Sequence, residues 1–445
     1  MDSVVSNHCR HSKLHAPGRR NDDRQRPVRH AAIRQSVRGC SSDPPERPAT
    51  GCRERGDSRA ARGVIRGASA RGSRLPDRLA GAPRRRPRSG RESKEEISCT
   101  PWRRRVGRGR GGRMQPTLVT GANGHVGNNL CRLLLARGER VRAMVRASAD
   151  PAALAGLDVE VVHGDVRDAE ATARAVAGCG RVYHTAAGFL MWSRDPERDI
   201  VAASVEGTRN VVGAAARAGV EKVLYVSTGG TIGFTDSPDV ILDESYHTTA
   251  PHTHYFRGKV AAEKEAFAIG AREVLPVIAI NPGFILGPRF FKLSESVRQV
   301  ADFVNRGMPF YFDGGFPVVD VEDVAQGAIL ALERGRAGER YIVGGENITV
   351  KQLYELIAEL TGMRAPAVRA PVPVVRALAT VLELAGTITG TRPLMDRNMV
   401  DEFAGRYGFQ HSTRAARELG YTWRPAREVV RRTVAWLVDR GFVTY

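Results

Sequence analysis

The stretch Thr117-Leu-Val-Thr-Gly-Ala-Asn-Gly-His-Val-Gly127 decides the fold of this chain. Its first four residues predict a short buried strand, and the residues from Val126 to Ala136 predict a helix. Of the three glycines between them, the first allows a tight turn, the second lets the backbone approach a pyrophosphate, and the third lets the helix pack closely. The loop therefore predicts a dinucleotide site, with the phosphates at the helix N-terminus. The expected cofactor contacts are Gly121, Asn123, Gly124, His125, Val126 and Gly127.

Short apolar runs and helical patterns alternate beyond this loop. Such alternation predicts parallel strands joined by right-handed crossovers. We therefore predict an α/β fold with a Rossmann-type doubly wound parallel sheet. The predicted strands are Thr117–Thr120, Arg140–Val145, Val159–Val162, Val182–His184, Lys222–Val226 and Val277–Ile280, and the intervening helices include Asp168–Ala177, Glu197–Ala218 and Tyr255–Ile269.

The pattern becomes looser after about residue 290, which predicts a smaller C-terminal substrate-binding lobe. We assign residues 114–290 to an NAD(P)-binding Rossmann domain and residues 291–445 to this lobe, partly interleaved with the first. Residues 371–390 are apolar, but Arg376 and Glu383 make them too polar to span a bilayer comfortably, so we expect no transmembrane segment. The other elements predicted in the lobe are Asp320–Glu333, Arg340–Val343, Thr349–Thr361, Val372–Gly386 and Pro425–Arg440.

The net charge of +20 is concentrated in the first quarter of the chain. Residues 1–113 carry a net charge of +19, and residues 114–445 carry +1, so the body gives no reason to expect a specific nucleic-acid partner. The Arg-, Pro-, Gly- and Ser-rich composition of residues 1–113 predicts disorder. This segment is either a basic tail that contacts anions, or a stretch ahead of a natural start at Met114. We favour the second interpretation because Met114 directly precedes the first strand.

The cysteines and histidines of the body predict neither disulfides nor a metal site. Cys131 and Cys179 lack framework spacing, which suits a reducing cytoplasm. Three histidines lie shortly before Tyr255, and we interpret them as loop histidines rather than as a metal triad. They are His247, His252 and His254.

Arg146 follows the second strand at the position where NAD-binding proteins carry an acidic residue for the ribose hydroxyls. The first acidic residue after it is Asp150. An arginine suits a 2′-phosphate through charge-assisted hydrogen bonds. The sequence therefore favours NADP, with NAD as the alternative.

Several motifs occur in the order typical of one family. They are the glycine loop, Gly164-Asp165-Val166, His184-Thr-Ala-Ala187, Ser227-Thr228 and Tyr255-Phe-Arg-Gly-Lys259. Over about residues 115–440 the chain thus resembles extended short-chain dehydrogenases/reductases of the NAD-dependent epimerase/dehydratase family. Further motifs are similar to those of dihydroflavonol-reductase-like proteins and hopanoid-associated sugar epimerases.

The resemblance implies a role for each matched residue. Tyr255 would be the general acid/base, Lys259 its activator and a ribose contact, and Thr228 the hydroxyl that holds the substrate carbonyl. An asparagine common in the family is replaced here by Ser204, which puts a relay at that point in doubt. The implied cofactor contacts also include Asp165, Val166, Ala186, Ala187, Pro282 and Gly283.

Tyr255 and Lys259 stand four residues apart, so a helix places them on one face. An ordinary tyrosine has a pKa of about 10, and a neighbouring ammonium lowers it. We therefore expect the phenol to exchange a proton with the substrate oxygen.

Three functions are compatible with these residues. The first is an NADP-dependent oxidoreductase that reduces a ketone or oxidises a secondary alcohol on a bulky, carbonyl-bearing small molecule. The second is an NAD-dependent nucleotide-sugar epimerase or dehydratase, although Gly314-Gly-Phe-Pro317 lacks the arginine that family epimerases usually carry there. The third is a non-catalytic NADP-binding regulator. Members of the family that this chain resembles often dimerise, so the resemblance also allows a homodimer.

Aromatic residues could wall an apolar substrate pocket or belong to the core, and the sequence leaves both interpretations open. They include Phe189, Met191, Trp192, Phe310, Tyr311, Phe312 and Phe316.

Overall fold

A computed structural model of the chain describes residues 115–444, apart from 188–190, 392 and 394. The predictions made for residues 1–113, Met114 and Phe189 lie outside the described residues.

The strands of the described part form two sheets. They are β1 (Thr117–Thr120), β2 (Val141–Val145), β3 (Val159–His163), β4 (Arg181–His184), β5 (Lys222–Val226), β6 (Val277–Pro282), β7 (Phe284–Leu286), β8 (Gly314–Asp320), β9 (Arg340–Val343), β10 (Glu346–Thr349) and β11 (Arg406–Tyr407).

The helices are α1 (His125–Ala136), α2 (Ala169–Val176), α3 (Ala203–Arg217), α4 (His254–Arg272), α5 (Glu295–Arg306), α6 (Val321–Arg334), α7 (Val350–Thr361), α8 (Val372–Thr389), α9 (Arg397–Phe403), α10 (Thr413–Leu419) and α11 (Ala426–Asp439). A wider π-helical turn at Glu197–Ala202 leads into α3.

The larger sheet has seven parallel strands in the order β3-β2-β1-β4-β5-β6-β9. Its central strands are apolar and buried, because helices cover both faces of a sheet of this kind. The strand order reverses between β1 and β4. Ligands of open parallel sheets bind at such a reversal, outside the carboxyl ends of the strands. The predicted doubly wound Rossmann-type sheet is therefore confirmed.

The smaller sheet belongs to the C-terminal part of the chain. β8 lies at its centre, antiparallel to β10 and parallel to β7 and β11. β9 comes from the same part of the chain but joins the larger sheet beside β6. The division at residue 290 remains a prediction.

α8 is unusually exposed for an apolar helix. Its 18 residues have a mean hydropathy of 1.4, and 17% of them are buried. Within the described residues it is the one helix long and apolar enough to cross a membrane, a criterion that core helices of soluble proteins also meet. The helix meets this criterion of length and composition although it contains Arg376 and Glu383, and the expectation that it does not span a membrane stays a prediction.

Candidate active site

The glycine loop lies at the carboxyl end of β1. Gly121 has a φ of +67°, and a Cβ there would lie 2.8 Å from the Cα of Ala186. A Cβ on Gly127 would lie 2.3 Å from the carbonyl oxygen of Gly121. Both positions therefore require glycine, because no side chain fits without moving backbone.

The same loop fits a pyrophosphate. Gly124 caps α1 and is exposed, and a Cβ there would meet only the carbonyl of Gly121. The amides of the first turn of α1, from His125 to Gly127, have no acceptor within the helix, and the helix dipole favours an anion beside them. Asn123, also in the loop, is half-buried, so this end of α1 can hold the phosphates of a dinucleotide.

The side chain of His125 contacts other residues and does not face the phosphate site. Its Nε2 lies 3.1 Å from the carbonyl oxygen of Pro288, and its ring meets Phe290 edge-on. Burial lowers the pKa of His125 to about 4, so the ring is neutral. At this position only the backbone of His125 and Val126 is available to a phosphate.

Arg146 and Asp165 follow adjacent strands of the sheet. Arg146 is exposed after β2, and its charge contributes to lowering the pKa of Asp165, after the larger effect of Arg167. Arg167 donates to the carboxylate of Asp165 from Nε at 3.0 Å and from Nη2 at 2.8 Å. Asp150 caps the turn Pro151–Leu154 by accepting from the amide of Ala152 at 2.9 Å. The carboxylate nearest in sequence to Arg146 is therefore already engaged.

A buried polar chain supports the centre of the crevice. His184, at the end of β4, lies 2.8 Å from the hydroxyl of Thr120, and Thr120 also accepts from the amide of Ala186 at 3.2 Å. Burial lowers the pKa of His184 to about 3. This neutral histidine fixes the start of the segment that contains Ala186 and Ala187.

Thr228 lies just after β5, at the start of the turn Gly229–Thr231. Its hydroxyl accepts from the amide of Gly230 at 3.3 Å. The hydroxyl of Ser227 is buried and has no hydrogen-bond partner in the described structure. A Cβ on Gly230 would fall 2.2 Å from the ring of Phe256, so this turn packs against the residue next to Tyr255. The turn and the start of α4 are therefore adjacent.

Tyr255 and Lys259 both lie on α4 and are buried. The Lys259 ammonium donates to the carbonyl oxygen of Val226 at 2.7 Å and lies 4.6 Å from the ring centre of Tyr225. Lys259 thus joins α4 to the carboxyl end of β5, beside Ser227 and Thr228. The turn that begins at Thr228 is therefore adjacent to the helix that carries Tyr255 and Lys259.

The pKa of Tyr255 differs from the expectation. Burial raises it well above its ordinary value, whereas the sequence predicts that a neighbouring ammonium lowers it. The reason is desolvation, since the phenol packs in a cluster with Met191, Ile200 and Phe256. Burial likewise lowers the pKa of Lys259 to about 8, against a smaller opposing effect of Glu263. At neutral pH the site therefore holds a protonated phenol beside an ammonium.

A buried ion pair lies behind these groups, and the sequence analysis missed it. Glu263, one turn beyond Lys259, receives a hydrogen bond from Arg340 at 3.1 Å, and both side chains are at most 7% exposed. Glu263 also accepts from Thr231 at 3.0 Å and from Asn281 at 2.9 Å. The pair thus holds the turn that carries Thr228. The i, i+4 spacing of Lys259 and Glu263 was visible, but the distant Arg340 was not.

A second missed residue holds the N-terminus of α4. Glu402, on α9, is 1% exposed and accepts from the amides of His252 and Thr253, each at 2.8 Å. The carboxylate faces the helix end directly before Tyr255. α9 of the C-terminal part is therefore fastened to the helix that carries the phenol.

Further apolar side chains pack on the cluster that contains Tyr255. Phe234, Met399 and Phe403 pack on the cluster of Met191 and Phe256. Phe316 stacks on Phe284 with ring centres 4.3 Å apart. Phe310 and Phe312 pack against α8 and α9, and Tyr311 and Phe316 pack on the core of the C-terminal part, so among the described residues Met191 is the member of the predicted set that lies in the cluster of Tyr255.

Pro282 and Gly283 end β6 at the same edge. A Cβ on Gly283 would lie 2.3 Å from the carbonyl oxygen of Pro317, so glycine permits the close approach of β8. Among the described residues, no group of three histidine, cysteine or acidic side chains is arranged to hold a metal, and Cys131 and Cys179 are buried and unpaired.

Comparison with known proteins shows the family of this chain. The model of the NAD dependent epimerase/dehydratase family matches residues 117–344. A Methylococcus capsulatus protein called sterol demethylase protein B is 35% identical over 340 residues, which are 74% of this chain and 99% of that protein. The protein named "Putative dihydroflavonol 4-reductase" in Synechocystis is 32% identical, over 73% of this chain and 95% of that one.

A solved structure gives the same fold. The crystal structure of a nucleoside-diphosphate-sugar epimerase from Pseudomonas aeruginosa matches with a TM-score of 0.60 at 26% identity. The match covers 75% of this chain and 100% of that one.

Proposed function

Because the chain belongs to the NAD-dependent epimerase/dehydratase family, we propose that it is an NADP-dependent oxidoreductase that reduces a ketone to a secondary alcohol, or catalyses the reverse. The observation that carries the proposal is that the turn after Thr228 packs against the start of the helix that carries Tyr255 and Lys259, at the sheet edge that also holds the glycine loop. A non-catalytic NADP-binding regulator would not require a buried proton donor such as Tyr255 beside the dinucleotide site.

The proposed chemistry assigns one task to each side chain. A bound nicotinamide supplies the hydride that reduces the carbonyl carbon. Thr228 donates a hydrogen bond to the carbonyl oxygen, and Tyr255 transfers its proton to that oxygen as negative charge develops. Lys259 stabilises the resulting phenolate and keeps the end of β5 in place through the carbonyl of Val226. In the oxidising direction Tyr255 accepts the proton instead.

The pH dependence should report the charge of Lys259. Its pKa is lowered to about 8, so the ammonium is present below that pH and is lost as the pH rises through it. We expect kcat for reduction to fall above about pH 8 in a steady-state profile. In Glu263→Gln, which removes the charge that supports the ammonium, the fall should move to lower pH. A profile that is flat to pH 10 in both proteins would contradict this assignment.

The preference for NADP rests on Arg146. Arg146 is exposed directly after β2. Arg167, which binds Asp165, follows the neighbouring strand β3. Asp150 accepts a hydrogen bond from the amide of Ala152 within its own turn. A 2′-phosphate at this edge would meet the exposed guanidinium of Arg146, because the Asp165 carboxylate beside it is already bound by Arg167.

Arg146→Ala is expected to weaken NADPH binding by at least about tenfold while leaving NADH binding nearly unchanged, since one charge-assisted contact contributes about 1.5–3 kcal/mol. Fluorescence titration with both cofactors measures this. Arg174→Ala, on the exposed surface of α2, is the matched control and should change neither Kd. Equal affinity of the unaltered protein for both cofactors would remove the case for NADP.

We propose a bulky, largely apolar substrate. The phenol of Tyr255 is bordered by Met191, Phe234, Met399 and Phe403, and these side chains favour an apolar body over a sugar.

The second candidate is a nucleotide-sugar epimerase, which the solved relative at 26% identity favours. Phe316, at the start of β8, stands in the stretch where an arginine for the diphosphate is expected, and it stacks on Phe284. This apolar contact supports the reductase over the epimerase.

A further inference from the structure

α8 presents three different stripes along its length. Val375, Ala379 and Gly386 are buried against the body. The adjacent stripe faces solvent, with Val374 60%, Val381 64% and Ile388 77% exposed. Because a helix turns by about 100° per residue, these exposed side chains share one face, and Leu378 and Leu384 widen it.

The remaining stripe fastens the helix to α9. Arg376 donates to Asp401 at 3.0 Å, and Arg397 donates to Glu383 at 2.9 Å. Arg376 and Glu383, the two charged residues of α8, are thus both paired with residues of α9. A helix held in this way lies along the surface, because crossing a bilayer would break both ion pairs and expose the buried stripe.

The charge around α8 is positive. Residues 363–397 contain five arginines, and counting Glu383 and Asp396 together with Asp313 and Asp401, which pair with Arg369 and Arg376, leaves a net charge of +1. Arg364 precedes the helix and is exposed, and the ion-paired Arg369 and Arg397 are exposed at its two ends. Basic residues at the borders of an apolar helix face complement anionic headgroups.

The exposed face is small. An 18-residue helix is about 27 Å long and about 10 Å wide, so one face offers on the order of 300 Å². A stable dimer interface needs about 800 Å² from each partner. The size therefore favours a lipid surface over a second copy of this chain.

We propose that the exposed apolar face of α8 docks this protein on the surface of a lipid bilayer with anionic headgroups. The helix lies in the plane of the interface, with Val374, Val381 and Ile388 among the acyl chains. α8 also connects to the site through its opposite face, because Val375 and Ala379 pack on α9, and Met399 and Phe403 of α9 border the cluster around Tyr255.

Vesicle flotation of the full chain tests this proposal independently of turnover. The probe is vesicles of phosphatidylcholine with phosphatidylglycerol, in low salt and in about 0.5 M NaCl, since high salt screens the attraction of the basic residues 1–113. The double variant Val381→Asp/Ile388→Asp should partition at least about tenfold less than the unaltered chain in high salt, because two apolar side chains no longer insert.

Val274→Asp is the matched control, since Val274 is 68% exposed and lies outside α8. It should bind vesicles like the unaltered chain. Retained cofactor binding in each variant shows that it folds, and Val381→Ser/Ile388→Ser replaces the double aspartate if that variant does not. Unchanged vesicle binding of the folded α8 variant would overturn the proposal. So would a dimer that becomes monomeric in that variant without any change in vesicle binding.

Discussion

Replacing Tyr255 with phenylalanine is expected to lower kcat for carbonyl reduction by about 10²–10⁴-fold. The substitution removes only the hydroxyl, so the packing of the ring on Phe256, with centres 5.4 Å apart, stays. The proton for the substrate oxygen then has no donor at this position. The Kd for NADPH should change little, because the glycine loop and Arg146 are untouched.

Steady-state kinetics with fluorescence titration separate these two effects. Tyr407→Phe is the matched control, because Tyr407 lies on β11 and its ring packs on Phe409. It should retain nearly full turnover. Tyr255→Phe with kcat within threefold of the unaltered enzyme would refute the role of the phenol.

Replacing Arg340 with methionine is expected to lower the free energy of unfolding by about 3–5 kcal/mol, because it leaves the buried carboxylate of Glu263 without its cation. Arg340 also donates to the carbonyl oxygen of Glu244 at 3.0 Å, and Glu244 in turn accepts from the amide of Ile342. The substitution thus loosens the loop before α4 as well as the turn that carries Thr228. Urea denaturation measures the loss.

Two further variants test the cause of that loss. Arg336→Met breaks an exposed ion pair with Glu418 and should leave the urea midpoint nearly unchanged. The double variant Glu263→Met/Arg340→Met should recover much of the stability, since both charges of the buried pair are then removed together. If Arg340→Met unfolds at the same urea concentration as Arg336→Met, the buried pair does not hold this part of the fold.

The parallel sheet could be predicted almost to the residue. β1, β5 and β9 match the predicted bounds, because each is a short apolar run that ends at glycine, polar residues or a turn. The predicted helix at Glu197–Ala218 is divided instead, since a π-helical turn precedes α3 where Gly258 packs so closely that a Cβ on it would lie 3.2 Å from the carbonyl oxygen of Ile200 and from the hydroxyl of Ser204. That close approach is a tertiary contact and leaves no local pattern.

The C-terminal part was predicted less completely. α5, α9 and α10 and the strands of the smaller sheet are short or amphipathic elements whose register depends on their partners. β8 holds Gly314 and Pro317 in a strand, against the usual preference of both residues, because β7 and β10 pair with it on either side. Nothing in the local sequence of β8 predicts those partners.

The candidate site divides in the same way. Thr228, Tyr255 and Lys259 follow from motif and spacing, but the direction of the pKa of Tyr255 depends on how deeply the phenol is buried. Glu402 and Arg340 act across 149 and 77 residues of chain, respectively, so only the folded structure reveals them.

The most direct test of the account is the consumption of NADPH by the purified full chain against a panel of bulky apolar ketones and nucleotide sugars. The account predicts that one NADPH is oxidised for each secondary alcohol formed from a ketone, with much slower consumption of NADH. Conversion of a nucleotide sugar to its epimer without net cofactor consumption, by protein that purifies with NAD bound, would contradict it.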